Sequence, residues 1–210
     1  MSSPPELATL TREPPPRRLT FEEFLDWCDE DTRAEWVDGV VEVMSPGSRR
    51  HQLVLQFIFR LVADWVEAGD LGEVHSQQFL MRLPRSLRRG RMPDVLYVAK
   101  ANMHRFRDTY VDGPADLAGE VVSTESIERD LVHKLQEYEA GGVPEYWIVW
   151  PDGQHAEFRE LGPDGRYQVI HAGHTGRYRS RVLPGFWLDL EWFWQEPLPS
   201  RASLLREMGM

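Results

Sequence analysis

The chain has 210 residues, a formal net charge of −10 and a pI near 5.2. With 41% hydrophobic and 28% charged residues, and no apolar run near the roughly 20 residues that cross a bilayer, it reads as globular rather than disordered or membrane-bound. The acidic balance argues against a protein that coats nucleic acid nonspecifically, and the single cysteine, Cys28, excludes an internal disulfide or a cysteine-rich zinc cluster and fits a cytoplasmic location.

Residues 1–18 carry five prolines and little apolar matter, so they are expected to form a flexible lead-in and not a secretory signal. One α+β domain is expected over 19–194, followed by a tail over 195–210 that packs on the core or on a partner. Thr20-Phe21-Glu22-Glu23 is a capping box that opens a helix. Asp38-Gly39 between two β-favouring runs predicts a hairpin. From Ser48 to Ala68, Leu55, Ile58, Phe59, Val62, Trp65 and Val66 recur at helical spacing, and Gly69 suits the helix end. Glu73 to Leu83 reads as one strand and Met92 to Val98 as another, shorter one. Residues 100–116 read as irregular, with room for a short helix. Leu117 to Ser123 is predicted as a strand, and Ser126 to Ala140 as a helix stopped by Gly141-Gly142. Strands are expected at Tyr146 to Trp150, at His155 to Leu161 paired with Tyr167 to His171, and at Gly185 to Leu190. The expected fold is a mixed sheet flanked by two main helices, with the N-terminal helix and hairpin attached. Trp147, Trp150, Trp187, Trp192 and Trp194 suit either core packing or the surface of a homodimer.

Three carboxylates stand within or beside these short strands: Glu35, Asp94 and Glu120. Each could face solvent. If buried, each needs a cation or a metal, and hard oxygens converging from adjacent strands suit Mg²⁺ or Mn²⁺. Of the 24 basic residues, 22 are arginine; the two lysines are Lys100 and Lys134. Lys134 falls on the apolar stripe Ile127, Leu131, Lys134, Tyr138, where it either snorkels to water or is buried against an anion. His51 opens the apolar stripe of the first long helix and suits either a packed core position or a cleft. Arg82, Arg85, Arg88, Arg89 and Arg91 crowd a stretch without acids that runs into Pro93-Asp94. That stretch is either a solvated loop or a phosphate-contacting one, with Arg85, Arg88, Arg89 and Arg91 as the candidate nucleic-acid contacts. His171-x-x-His174 lacks a second pair of zinc ligands, and no phosphate-binding glycine loop occurs.

The series Pro93-Asp94, Glu120-Val121-Val122-Ser123, Arg129-Asp130-x-x-x-Lys134-x-x-x-Tyr138 and Gly142-Val143-Pro144-Glu145-Tyr146-Trp147-Ile148-Val149 resembles a large bacterial family described as putative restriction endonucleases, the Uma type, within the PD-(D/E)xK nuclease superfamily. Leu19 to Phe24, Glu35-x-x-Asp38-Gly39, His51 and Leu183-Pro184-Gly185-Phe186 are similar to it as well. The resemblance implies a restriction-endonuclease-like core, with Asp94, Glu120 and the Val121 main-chain carbonyl as metal ligands. It implies Glu35 as a further acidic partner that holds a second metal or orients Lys134. The superfamily lysine is expected two residues after Glu120, where this chain has Val122; Lys134 stands in for it. Ser123-Thr124-Glu125-Ser126 also departs from the pattern, which has a proline there. The implied activity is metal-dependent hydrolysis of DNA phosphodiesters. The rival reading is a nuclease-fold domain without turnover that acts as a nucleic-acid-binding or regulatory homodimer.

Overall fold

The computed structural model describes residues 13–29, 31–123, 127 and 129–210. Most of the predicted N-terminal lead-in, the start of the helix predicted from Ser126, and residues 124–126 of the turn before it lie outside these. Helix α1 (Phe21–Trp27) begins as its sequence predicts: Thr20 Oγ accepts the Glu23 amide, and Glu23 in return accepts the Thr20 amide at 2.8 Å. Thr20→Ala is expected to lower stability by about 1 kcal/mol, read as a lower urea midpoint at unchanged slope.

The hairpin β1 (Ala34–Val37) and β2 (Val40–Val43) turns at Asp38 and Gly39, both with positive φ, as a tight hairpin turn requires. Helix α2 (Arg49–Ala68) follows, capped by Ser48. Then come β3 (Gly72–Ser76), β4 (Leu80–Arg82), β5 (Arg89–Arg91), β6 (Val95–Ala99), a 3₁₀ turn at Lys100–Arg105, β7 (Tyr110–Asp112) and β8 (Leu117–Val121). A π-helical turn at Arg129–His133 leads into α3 (Lys134–Gly141), which Gly142 ends in the left-handed region. The rest is β9 (Glu145–Trp150), β10 (His155–Leu161), β11 (Tyr167–Gly173), β12 (Arg177–Arg179), β13 (Trp187–Asp189) and α4 (Arg201–Glu207).

Among the described residues, two larger sheets and a two-stranded one form where one mixed sheet was expected. A six-stranded sheet runs β11-β10-β9-β8-β6-β3, with β8 and β9 parallel and its other neighbours antiparallel. A five-stranded sheet runs β2-β1-β5-β4-β7, and β12 and β13 make a separate ribbon. The expected single strand from Glu73 to Leu83 is therefore split between the sheets. The break comes at Gln77, whose positive φ takes the chain out of extended geometry.

Alternation sorts the core. Val95, Tyr97, Leu117, Val121, Trp147 and Val149 face α2, while Leu96, Val98, Ala118, Val122, Tyr146 and Ile148 face α3 and Met81 of β4. With both faces covered, the central strands read as continuous apolar runs. Leu19, Phe21, Phe24, Trp36 and Leu80 form a third cluster beneath α1. Trp147, Trp187 and Trp192 are buried in the α2-side core, and Leu204 of α4 packs there too. The tail from Arg201 thus rests on the core.

Candidate active site

Side-chain alternation on β8 places Glu120 on the α3 side, between Ala118 and Val122. There it meets two residues one helical turn apart. Lys134 Nζ lies 2.9 Å from Glu120 Oε2, and the Tyr138 hydroxyl donates to Glu120 Oε1 at 2.8 Å. Lys134 is 1% exposed, so the inward alternative for that residue is the one adopted.

Glu35, on β1, is fully buried. Its Oε1 lies 3.3 Å from Lys134 Nζ and accepts the Met92 amide at 3.0 Å; its Oε2 accepts Arg91 Nη1 at 2.7 Å. Burial alone would raise the Glu35 carboxyl, but the charges of Lys134 and Arg91 outweigh it and hold it at about 2. Tyr138 is shifted the other way. Burial, then the Glu120 and Glu35 charges, raise its hydroxyl well above the ordinary value and keep it a hydrogen-bond donor.

Asp94, just before β6, reaches the same region from the other side. Its Oδ2 accepts the Val121 amide at 2.8 Å and lies 3.3 Å from His51 Nε2; its Oδ1 accepts Gln77 Nε2 at 3.2 Å. Burial raises this carboxyl, and His51, Lys134 and the Val121 amide together bring it below its ordinary value. His51 takes its position from the first turn of α2, where its amide is held by Ser48.

A cleft of about 260 Å³ gathers these groups: His51, Gln77, Asp94, Glu120, Val121 and Lys134 all line it. Glu35 does not line it, and instead stands behind Lys134. Among the described residues, no three His, Cys, Asp or Glu side chains form a ready-made metal nest. Asp94 and Glu120 line the cleft with hard carboxylate oxygens, and Val121 lines it beside them. That set fits Mg²⁺, which keeps several waters and takes few carboxylates.

The arginine stretch is corrected by the sheet. Residues 89–91 form β5, paired with β1 on one side and β4 on the other, so Arg89 and Arg91 point to one face. Arg91 is 2% exposed and bonds Glu35 and Glu137; Arg89 pairs with Asp38 and Glu137. Arg82 is buried over the Phe21 ring and bonds Glu22. The ion pairs of Arg89 and Arg91, and for Arg91 its burial, occupy these two guanidinium groups within the protein. Arg85 and Arg88 remain exposed.

A family model described as "Putative restriction endonuclease", Uma2, matches residues 21–191. The chain belongs to the Uma2 family. The Uma2 match spans every element from α1 to β13, and with it Glu35, Asp94, Glu120 and Lys134. The Uma2 chain also shares its fold with a crystal structure described as a putative nuclease belonging to DUF820 from Anabaena variabilis ATCC 29413. The TM-score is 0.68 at 12% identity, covering 83% of this chain and 97% of that one. No curated protein matches. Among the described residues, no helix is long and apolar enough to cross a membrane.

Three site residues escape the sequence reading of this Uma2 chain. Gln77 sits in an unforeseen strand break and carries no local signal. Glu137 lies one position before Tyr138 and looks like any solvated helix acid, although it binds Arg89 and Arg91. Arg33, which precedes β1, also lines the cleft.

Proposed function

We propose that this protein is a Mg²⁺- or Mn²⁺-dependent endonuclease that hydrolyses phosphodiester bonds in DNA. The observation that carries the reading is the pairing of Lys134 with Glu120 and Glu35 on the wall of the cleft that Asp94 also lines. A lone buried ammonium is costly, and so is a lone buried carboxylate; held together beside open space they are pre-organised for charged chemistry.

Asp94, Glu120 and the Val121 carbonyl would hold the metal. A divalent ion bound there would supply Lewis acidity and lower the pKa of its water. The chain's own groups do the rest. Glu35 fixes Lys134 by ion pairing, so the ammonium is oriented before substrate enters. Tyr138 donates to Glu120 Oε1 and restricts the carboxylate to one rotamer. Lys134 Nζ offsets negative charge developing on the phosphoryl oxygens and orients the attacking water. His51 and Gln77 hold the Asp94 carboxylate in place.

Nicking of supercoiled plasmid tests this. The parent should nick in Mg²⁺ or Mn²⁺ and stop on chelation. Asp94→Asn, folded by circular dichroism, should lose at least about 100-fold in rate. A folded parent that shifts DNA on a gel but never nicks it, whatever the divalent ion, would replace this reading with a binding domain. Val122, at the place where the superfamily has its lysine, is the residue that would account for such an outcome.

A further inference from the structure

Among the described residues, three buried side-chain nitrogens have no hydrogen-bond partner: Arg33 Nε, His51 Nδ1 and Trp150 Nε1. Two of the three belong to residues that line the cleft, Arg33 and His51. Buried donors are nearly always paired, so an orphan on a residue that lines a cleft is a candidate for a ligand contact. Among the other cations nearby, Lys134 pairs with Glu35 and Glu120, Arg91 with Glu35, Glu42 and Glu137, and Arg89 with Asp38 and Glu137, while Arg129 also lines the cleft and is not without a partner. Arg33 meets no carboxylate among the described residues.

We infer that Arg33 grips a backbone phosphate of the bound nucleic acid, its guanidinium, whose Nε has no partner among the described residues, belonging to a residue that lines the same cleft as Asp94, Glu120 and Lys134. This rests on the nuclease reading and adds the substrate contact that reading lacks. Asp94 and Glu120 both line the cleft, and an entering phosphodiester meets the repulsion of these two carboxylates. A guanidinium answers that with two parallel N–H donors matched to two phosphate oxygens. Arg33 is also well anchored. Its carbonyl accepts the Met44 amide at 2.9 Å, which ties it to the chain leaving the hairpin. Met44, Ser45, Pro46 and Gly47 of that segment line the cleft with it and lead to the start of α2. Phosphate contact therefore comes from the hairpin base, and not from the strand of arginines before Asp94.

Fluorescence anisotropy with a labelled DNA duplex in Ca²⁺ tests the assignment in the full chain. Arg33→Gln should raise Kd about tenfold. It should also flatten the slope of log Kd against log salt by about 0.9, the signature of one lost phosphate contact. Arg33→Lys should restore the slope and part of the affinity. Both variants should bind Mn²⁺ as the parent does by calorimetry, which shows that the fold and the carboxylates are intact. A salt slope unchanged in Arg33→Gln overturns the inference; if the parent still nicks plasmid, the nuclease reading survives that result. A parent that neither binds nor cuts DNA overturns both.

Discussion

Arg91→Met should destabilise the fold by about 3–5 kcal/mol, because it takes a cation from the buried Glu35 carboxylate and does not merely remove a contact. Arg91 gives Nη1 to Glu35 at 2.7 Å, and Nε and Nη2 to Glu137 at 2.7 and 2.9 Å. Methionine fills the volume but leaves fully buried Glu35 with Lys134 as its remaining cation among these partners. For a chain of this length the loss corresponds to a melting temperature lower by about 10 °C at neutral pH. The pH dependence checks the cause. Glu35 is held at about 2, below the ordinary 4.5, so its stabilisation is complete above pH 4.5 and fades as the pH falls from there toward 2. The gap between parent and variant should therefore narrow below pH 4.5. Arg91→Met combined with Glu137→Gln should fall short of the sum of the single losses, since the two side chains share their hydrogen bonds. A melting temperature equal to the parent's, or a gap that does not change between pH 7 and 3, would show that the network adds nothing.

The same network explains what the sequence reveals and what it hides. Local devices were legible: the Thr20 capping box, the Asp38-Gly39 turn and the apolar stripe of α2 each depend on neighbours a few residues away. So was the inward placement of Lys134, because its helical spacing relative to Ile127, Leu131 and Tyr138 fixes its face. What depends on pairing between distant segments was hidden. The spacing of Arg89 and Arg91 looks the same on an exposed loop as on a strand between two others, and only the ladders to β1 and β4 decide. The stretch from Glu73 to Leu83 carries alternation on both sides of Gln77, so its division between two sheets left no trace in periodicity. Glu35 was legible as an acidic partner, but the sequence left open whether it holds a second metal or orients Lys134; in the fold its Oε1 lies 3.3 Å from Lys134 Nζ and it does not line the cleft.

The sharpest test of the proposed chemistry is Lys134→Arg, which keeps the charge and should still lose about 100-fold or more in nicking rate. Arginine is otherwise this chain's cation: it fills 22 of 24 basic positions. Lys100, the other lysine, lies at the surface and pairs with Asp70, a place where either cation would serve. Lys134 has no such freedom. It is 1% exposed, with Glu120 Oε2 at 2.9 Å and Glu35 Oε1 at 3.3 Å around one compact ammonium. A planar guanidinium is larger and directs its donors in a fixed fork, so it cannot take that seat without displacing a carboxylate. Lys134→Met removes the charge as well, and should lose activity and also stability at neutral pH, recovering part of the stability below pH 4.5 as Glu35 takes up its proton. Single-turnover nicking, with near-ultraviolet circular dichroism to establish the fold, separates the two variants. If Lys134→Arg nicked at the parent's rate, charge alone would suffice, and the close seating of the ammonium between Glu35 and Glu120 would be a matter of packing and not of catalysis.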